Sequence, residues 1–158
     1  MRRRVFIMGL YVHQVLEKAA AAQTKEEKIQ ILRDCNTLAL RSILRGGMDP
    51  SIEFILPEGA PPFDENESKK WGYTTSAIQR ASKKFKYYIK GGPGENMASI
   101  KREKMFVDSL ETLHPKEAEL LILMKDKKFI HKTGTAHFKG ITLKLVQEAF
   151  PNLFPRKE

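Results

Sequence analysis

With 158 residues, 41% of them apolar and 30% charged, the chain is long enough for one domain with a buried core, and its composition excludes a disordered chain. The formal net charge of +9 and the pI near 9.7 favour acidic partners, nucleic acid first and an anionic membrane surface second. Cys35 is the only cysteine, which excludes an internal disulfide and a cysteine-based zinc site and is typical of a reducing cytoplasm.

Three helices are predicted in the first 48 residues. Leu10 to Ala22 carries apolar residues at helical spacing and is predicted to form the first helix. The apolar run from Val5 to Val12 is far shorter than the roughly 20 residues of a spanning helix, so neither a secretory signal nor a membrane segment is predicted. Thr24-Lys25-Glu26-Glu27 has the form of a capping box, which predicts the start of the second helix.

The third helix follows a break near Asp34 to Asn36. Cys35, inside this break, is predicted to be a small packed residue. Gly46-Gly47 is predicted to end the third helix, because glycine tolerates the left-handed conformation that is common just after a helix. The apolar face of this helix is predicted to consist of Leu38, Leu40, Ile43 and Leu44.

A proline-rich acidic connector is predicted from Asp49 to Tyr73. Its four prolines exclude a long helix, and Ile52 to Leu56 favours either a short strand or one helical turn. The connector is predicted to lie ordered over the surface, with Trp71 and Tyr73 pinning its end to the core. A solvated linker is an equal alternative for Glu58 to Lys70. The acidic residues of the connector are Glu58, Asp64, Glu65 and Glu67.

The next helix is predicted to begin at Thr74 or Thr75 and to run to about Ile89. Its apolar stripe at 100° per residue consists of Ile78, Ala81, Phe85, Tyr88 and Ile89. The opposite face carries Arg80, Lys83, Tyr87 and Lys90, flanked by Lys84 and Lys86. An aromatic ring in a basic surface can stack on a base while the lysines neutralise phosphates. The alternative is a solvated basic face on which Tyr87 covers the aliphatic stems of its neighbours.

A helical hairpin is predicted from Lys101 to Lys128, after the turn Gly91-Gly92-Pro93-Gly94. Asn96 or Ser99 is predicted to cap its first helix, which opens with Lys101 and Arg102. His114-Pro115 breaks the hairpin, because proline suits the first position of a helix, and Glu117 and Glu119 then suit the positive end of the helix dipole. The glycine turn lacks the ending of a nucleotide-binding P-loop, so no nucleotide is predicted.

The C-terminal part is predicted to be a loop or short hairpin, Phe129 to Gly140, followed by one short helix. His131 and His137 lack the spacing and the neighbouring ligands of a metal site, so no metal and no other cofactor is predicted. Thr142 is predicted to cap the helix Leu143 to Phe150. This helix is too apolar to read bases in a groove, so it is predicted to close the core.

Together these segments predict a mainly α fold, a compact bundle of five to seven helices with little or no strand. It is a single domain over residues 1–158, with N-terminal helices at 1–48, the connector at 49–73 and a basic helical half at 74–158. The predicted core includes Ile43, Leu44, Phe85, Phe106, Leu110, Leu120, Leu121, Val146 and Phe150.

Three motifs carry a resemblance to a known family. They are Leu56-Pro57-Glu58-Gly59, the lysine-rich run Met124 to Lys128, and Gly140-Ile141-Thr142. Over about Thr24 to Phe154 the chain resembles small uncharacterised proteins of T4-like tailed bacteriophages. In that family the connection between Lys128 and Lys139 is shorter, so Phe129 to Phe138 resembles an insertion. The resemblance implies a phage product acting in the infected cell, without a known activity or known functional residues.

No nucleophile elbow, Cys/His pair or carboxylate pair stands out, so no enzyme is predicted. The leading functional prediction is a nucleic-acid-binding accessory protein in replication, transcription or packaging, with DNA as the expected partner. The alternatives are a protein-binding effector that docks on a host or phage enzyme, and a virion component. The expected location is the host cell cytoplasm or, for a virion component, the particle. The predicted nucleic-acid-binding residues are Arg80, Lys83, Lys84, Tyr87, Lys90, Lys101, Arg102, Lys127 and Lys128.

Overall fold

The structure, a computed structural model, describes residues 10–64, 75–129 and 138–154. It is mainly helical and has no strand within these ranges, so the predicted mainly α fold is confirmed. The elements in chain order are α1 (Val12–Ala21), α2 (Lys25–Asp34), α3 (Leu38–Met48), α4 (Ser76–Ser82), a 3-10 helix (Phe85–Tyr88), α5 (Ser99–Thr112), α6 (Pro115–Lys125) and α7 (Leu143–Ala149).

The helix α6 lies at the centre of the bundle, where it contacts α1, α3 and α5. Its sequence explains this position, because Ala118, Leu120, Leu121 and Met124 leave it apolar on most sides. The predicted hairpin of α5 and α6 is confirmed, with Pro115 as the first residue of α6. Neither Asn96 nor Ser99 caps α5, since the helix begins at Ser99 without a side-chain cap.

Threonine side chains cap the N-termini of three helices, α2, α3 and α7, because each accepts a hydrogen bond from a backbone N–H of the first turn. Thr24 Oγ1 accepts from the Glu27 N–H at 3.2 Å, as predicted. The Glu27 carboxylate accepts from the Gln23 N–H instead of closing the capping box on Thr24. Thr142 Oγ1 accepts from the Leu145 N–H at 3.2 Å, so the predicted cap of α7 is confirmed.

The prediction that Gly46-Gly47 ends the third helix is wrong, because α3 continues to Met48. Both glycines lie inside the helix and are buried. A Cβ atom on Gly47 would lie 1.9 Å from the ring carbons of Phe129, and one on Gly46 would lie 2.9 Å from the sulfur of Met124. The glycines therefore make room for side chains from elsewhere in the chain.

The predicted continuous helix from Thr74 or Thr75 to Ile89 is also wrong. The helix α4 ends at Ser82, and a 3-10 helix follows after a turn at Lys83 and Lys84. A tertiary contact excludes the last part of the predicted helix, because the extended residue Ile89 forms an isolated antiparallel bridge with Phe54. This bridge brings the Ile55 N–H to the Tyr88 carbonyl at 2.7 Å, and the helical pattern cannot continue through it.

The connector is fixed to the helices as far as the structure describes it, to Asp64. Lys125 Nζ donates to the carbonyls of Pro57 and Gly59, and Asp126 Oδ2 accepts from the Gly59 N–H. This part is therefore an ordered connector and not a solvated linker. The remainder with Trp71 and Tyr73 lies outside the described residues, as do Thr74, Glu65, Glu67 and the two histidines His131 and His137.

One apolar core joins all the helices, and each of the nine predicted core residues is buried in it. The predicted role of the last helix is confirmed, since Val146 and Phe150 close this core and α7 packs on α2. Cys35 is buried as predicted, and burial raises the pKa of its thiol to about 11. None of the described helices is long and apolar enough to cross a membrane.

Candidate nucleic-acid interface

Five of the predicted cations lie exposed between α4 and the start of α5. This segment carries eight basic residues and two acidic ones between Arg80 and Lys104. The apolar residues that alternate with the cations, such as Ile78, Phe85 and Tyr88, are buried, which turns the lysines towards water. The exposed predicted cations are Arg80, Lys83, Lys84, Lys90 and Lys101.

Most of this positive charge is not compensated by ion pairs. Lys90 Nζ lies 3.8 Å from the Glu53 carboxylate, and both side chains are exposed, so the pair is weak. Within the described parts of the chain, no carboxylate lies within 4.0 Å of the amines that remain. These amines belong to Lys83, Lys84, Lys86 and Lys101.

The turn Gly91 to Gly94 connects the two parts of this surface, the segment from Arg80 to Lys90 and the start of α5. Gly91 has a φ of +82°, which favours glycine. Cβ atoms on Gly92 and Gly94 would lie 2.6 Å from the Lys86 carbonyl oxygen and 2.1 Å from the Tyr87 carbonyl oxygen. The turn therefore packs directly on the backbone of the 3-10 helix, which it could not do with larger residues.

Arg102 was predicted to bind nucleic acid, and this assignment is wrong because the side chain is buried. Its Nε donates to the Ile55 carbonyl at 3.1 Å, and its Nη1 donates to the Gly94 and Met97 carbonyls at 3.1 and 2.9 Å. The guanidinium thus ties the connector and the glycine turn to α5. The guanidinium suits this position because its five donors, fixed in one plane, can bind several carbonyls at once. Because Arg102 is buried, its side chain does not face a ligand at the surface.

Lys127 also has a structural position instead of the predicted contact with phosphate. Its half-buried Nζ donates to the carbonyls of Gly46 and Asp49, where cations are favoured at the end of α3. Burial lowers the pKa of Lys127 to about 8, while Asp49 acts in the opposite direction. Lys128 is exposed and lies 3.6 Å from Glu58 of the connector. Because its amine is bound to the Gly46 and Asp49 carbonyls, Lys127 is not part of the candidate surface.

Tyr87 is half-buried and packs against the core. The Lys86 amine lies over its ring, 5.3 Å from the ring centroid. This contact places the Tyr87 ring against a neighbouring lysine, as in the alternative that Tyr87 covers the aliphatic stems of its neighbours. The exposed lysines are therefore the main candidate contacts of this surface.

A buried pair of side chains, His13 and Glu117, joins α1 to α6, and no motif in the sequence indicates it. Glu117 lies in the first turn of α6 as predicted, but it is only 1% exposed. Its Oε1 lies 2.6 Å from His13 Nδ1 and accepts from the His13 N–H at 2.9 Å. The rings of Tyr11 and His114 lie 5.5 and 5.1 Å from the His13 ring, measured between centroids. The pair was missed because its members are 104 residues apart.

We expect His114 to make the fold less stable in mild acid. Its Nδ1 accepts from the Lys116 N–H at 3.1 Å, which requires an unprotonated Nδ1. Burial, the charge of His13 and that of Lys116 lower the pKa of His114, while Glu117 acts in the opposite direction. As the pH falls below about 6.5, the unfolded chain therefore takes up the proton first, and stability is lost.

His114→Asn tests this, because asparagine can accept the same N–H without titrating. Urea unfolding at neutral pH and in mild acid should show a smaller loss for His114→Asn than for the parent protein. Equal losses in the two proteins would assign the acid sensitivity to other groups.

The described residues contain no group of three or more His, Cys, Asp and Glu side chains that could hold a metal ion. Neither the curated proteins nor the solved structures include a match to this chain. The model of a family of unknown function, DUF6433, matches residues 15–131, which is well over half of the chain. The chain therefore belongs to the DUF6433 family, whose function is unknown.

Proposed function

We propose that the protein is a non-enzymatic nucleic-acid-binding accessory protein that contacts phosphates largely without sequence preference. The observation that supports this most directly is the exposed basic surface between α4 and α5. We define the basic surface as Arg80, Lys83, Lys84, Lys86, Lys90 and Lys101. Exposed cations without carboxylate partners release counterions when they neutralise phosphates, which gives affinity for any sequence.

The composition of the basic surface supports phosphate contacts more than base reading. Five of its six members are lysines, which act as point charges on flexible stems. Base edges are read by bidentate contacts, for which the planar groups of Arg, Asn and Gln are well suited, while Lys can also contact guanine. Arg102, the arginine at the start of α5, uses its donors on three backbone carbonyls. We therefore expect binding to depend on salt and little on sequence.

The first test removes two cations from the basic surface and compares the result with the same loss of charge elsewhere. The test variant is Lys83→Ala with Lys101→Ala, and the control is Lys18→Ala with Lys144→Ala, all four residues being exposed. If both test lysines contact phosphates, the slope of log affinity against log salt on duplex DNA should fall by about 1.8. Fluorescence anisotropy with a labelled duplex of arbitrary sequence measures this slope.

The control variant should keep a slope close to that of the parent protein. Tyr87→Ala adds a second comparison, because a ring that stacks on bases would weaken binding to single strands more than to duplexes. If the parent protein binds neither duplex nor single strands at low salt, the proposal fails. Equal slopes for the test and control variants would also contradict it, because the positive charge would then act without a defined surface.

The resemblance to T4-like phage proteins supports a role in the cytoplasm of an infected host cell, during replication, transcription or packaging. Membership in a family of unknown function adds no activity to this proposal. A protein-binding effector that docks on a host or phage enzyme is the second candidate. One observation favours it, an apolar groove of about 500 Å³ beside the exposed Ile100.

A further inference from the structure

The groove lies between the connector and α5, with Lys125 of α6 also in its lining. One wall is the chain from Leu56 to Pro62. The other is one face of α5, because its residues recur at steps of three and four along the helix. These residues are Ile100, Glu103, Lys104, Phe106 and Val107. We call this space the connector groove.

Hydrogen bonds hold the connector groove in shape without any ligand. Lys125 Nζ donates to the Pro57 and Gly59 carbonyls at 2.8 and 2.7 Å. Arg102 Nε holds the Ile55 carbonyl just before this wall at 3.1 Å. Two buried cations thus fix the position of the wall and leave an open space in front of it. A preformed groove loses little conformational freedom when a partner binds.

Ile100 gives the connector groove an apolar edge that the fold itself does not use. Its side chain is 79% exposed, and the described residues contain one other exposed large apolar side chain, Leu38, at 43%. A single exposed isoleucine is ordinary on a protein surface. Here the Ile100 side chain extends the apolar lining of the connector groove, which also includes Leu56, Phe106 and Val107. An apolar anchor from a partner would be buried between these side chains.

The wall of the connector groove favours a helical partner over an extended one. An added strand needs a row of free backbone N–H and C=O groups. Pro57, Pro61 and Pro62 have no N–H, and the Gly59 N–H is already bound by Asp126. The Pro57 and Gly59 carbonyls are bound by Lys125. Contact must therefore come mainly from apolar side chains, as in helix-in-groove recognition.

The charged groups around the connector groove favour a basic partner. Glu103 has no ion-pair partner among the described residues, and Glu58 has only a weak exposed contact with Lys128. Of the cations, Lys104 pairs with Asp108 at 3.0 Å, and the buried Lys125 amine makes three hydrogen bonds. We propose that the connector groove binds an amphipathic helix of a partner protein, with its apolar stripe flanked by lysine or arginine.

Selection from a random peptide library tests this proposal, with peptides long enough for about four helical turns. Selection on the full chain, with counter-selection on Ile100→Glu, should enrich peptides with apolar residues at helical spacing and a net positive charge. The affinity of an enriched peptide should fall by about tenfold or more for Ile100→Glu, because the apolar edge becomes charged. Ile100 is exposed in the first turn of α5, where glutamate is favoured, so this variant should fold normally.

Leu38→Glu is the matched control, since it places the same charge on the other exposed apolar side chain, and peptide affinity should not change. A short DNA duplex should not displace the peptide, so a failure of nucleic-acid binding leaves this inference unaffected. The proposal is overturned if no peptide is enriched, if the enriched peptides are acidic or extended, or if Leu38→Glu weakens binding as much as Ile100→Glu. It is also overturned if the parent protein sediments as a dimer and Ile100→Glu as a monomer, because a second copy of the chain would then occupy the connector groove.

Discussion

Arg102→Ala is expected to lower the free energy of unfolding by about 3–5 kcal/mol, because a charged donor is lost from three backbone carbonyls at once. The carbonyls belong to Ile55, Gly94 and Met97, and the side chain that binds them is 8% exposed. Urea unfolding followed by circular dichroism measures the change. Arg102→Lys should recover only part of it, since an ammonium cannot reproduce the planar arrangement of donors.

Lys101→Ala is the matched control for Arg102→Ala. Lys101 is the preceding residue of α5, and its side chain is exposed. Its replacement should change stability by less than about 0.5 kcal/mol, as is usual for surface sites. Comparable losses for the two variants would contradict the structural role of Arg102. The contrast also separates the two functions of this stretch, since Lys101 is proposed to bind phosphate and Arg102 holds the surface in place.

Gly47→Ala is expected to lower the free energy of unfolding by about 2–3 kcal/mol, because it overfills a packed core. The new methyl group would lie 1.9 Å from two ring carbons of Phe129, and Phe129 is itself buried. In an exposed helix the same change would stabilise the protein by up to about 1 kcal/mol. The sign of the effect therefore reports whether the glycine makes room for the ring.

A double-mutant cycle with Phe129→Ala isolates this contact. Phe129→Ala alone should cost about 3–5 kcal/mol, as for other buried aromatic residues. In that background Gly47→Ala should become neutral or stabilising, because the ring is no longer there to clash with the new methyl group. The same cost for Gly47→Ala in both backgrounds would show that the strain lies in α3 itself.

The sequence by itself determined where most helices begin and which residues form the core. Thr24, Thr142 and Pro115 act on the backbone within three residues of their own positions, so local sequence is sufficient to recognise them. The apolar periodicity of α5 and α6 likewise predicts their buried faces. The lysines of the basic surface from Lys83 to Lys90 are exposed although the single helix predicted for them is interrupted after Ser82, because the apolar residues between them, Phe85 and Tyr88, are still buried.

The tertiary structure decided which charged residues and glycines serve the fold. Arg102 and Lys127 resemble surface cations in the sequence, yet the carbonyls of Ile55 and Gly46 that they bind lie 47 and 81 residues away. Gly47 resembles a helix end, and only the ring of Phe129 shows that the helix continues through it. Such roles depend on contacts between distant segments, which local propensity and periodicity do not specify, because each contact exists only after the helices have packed.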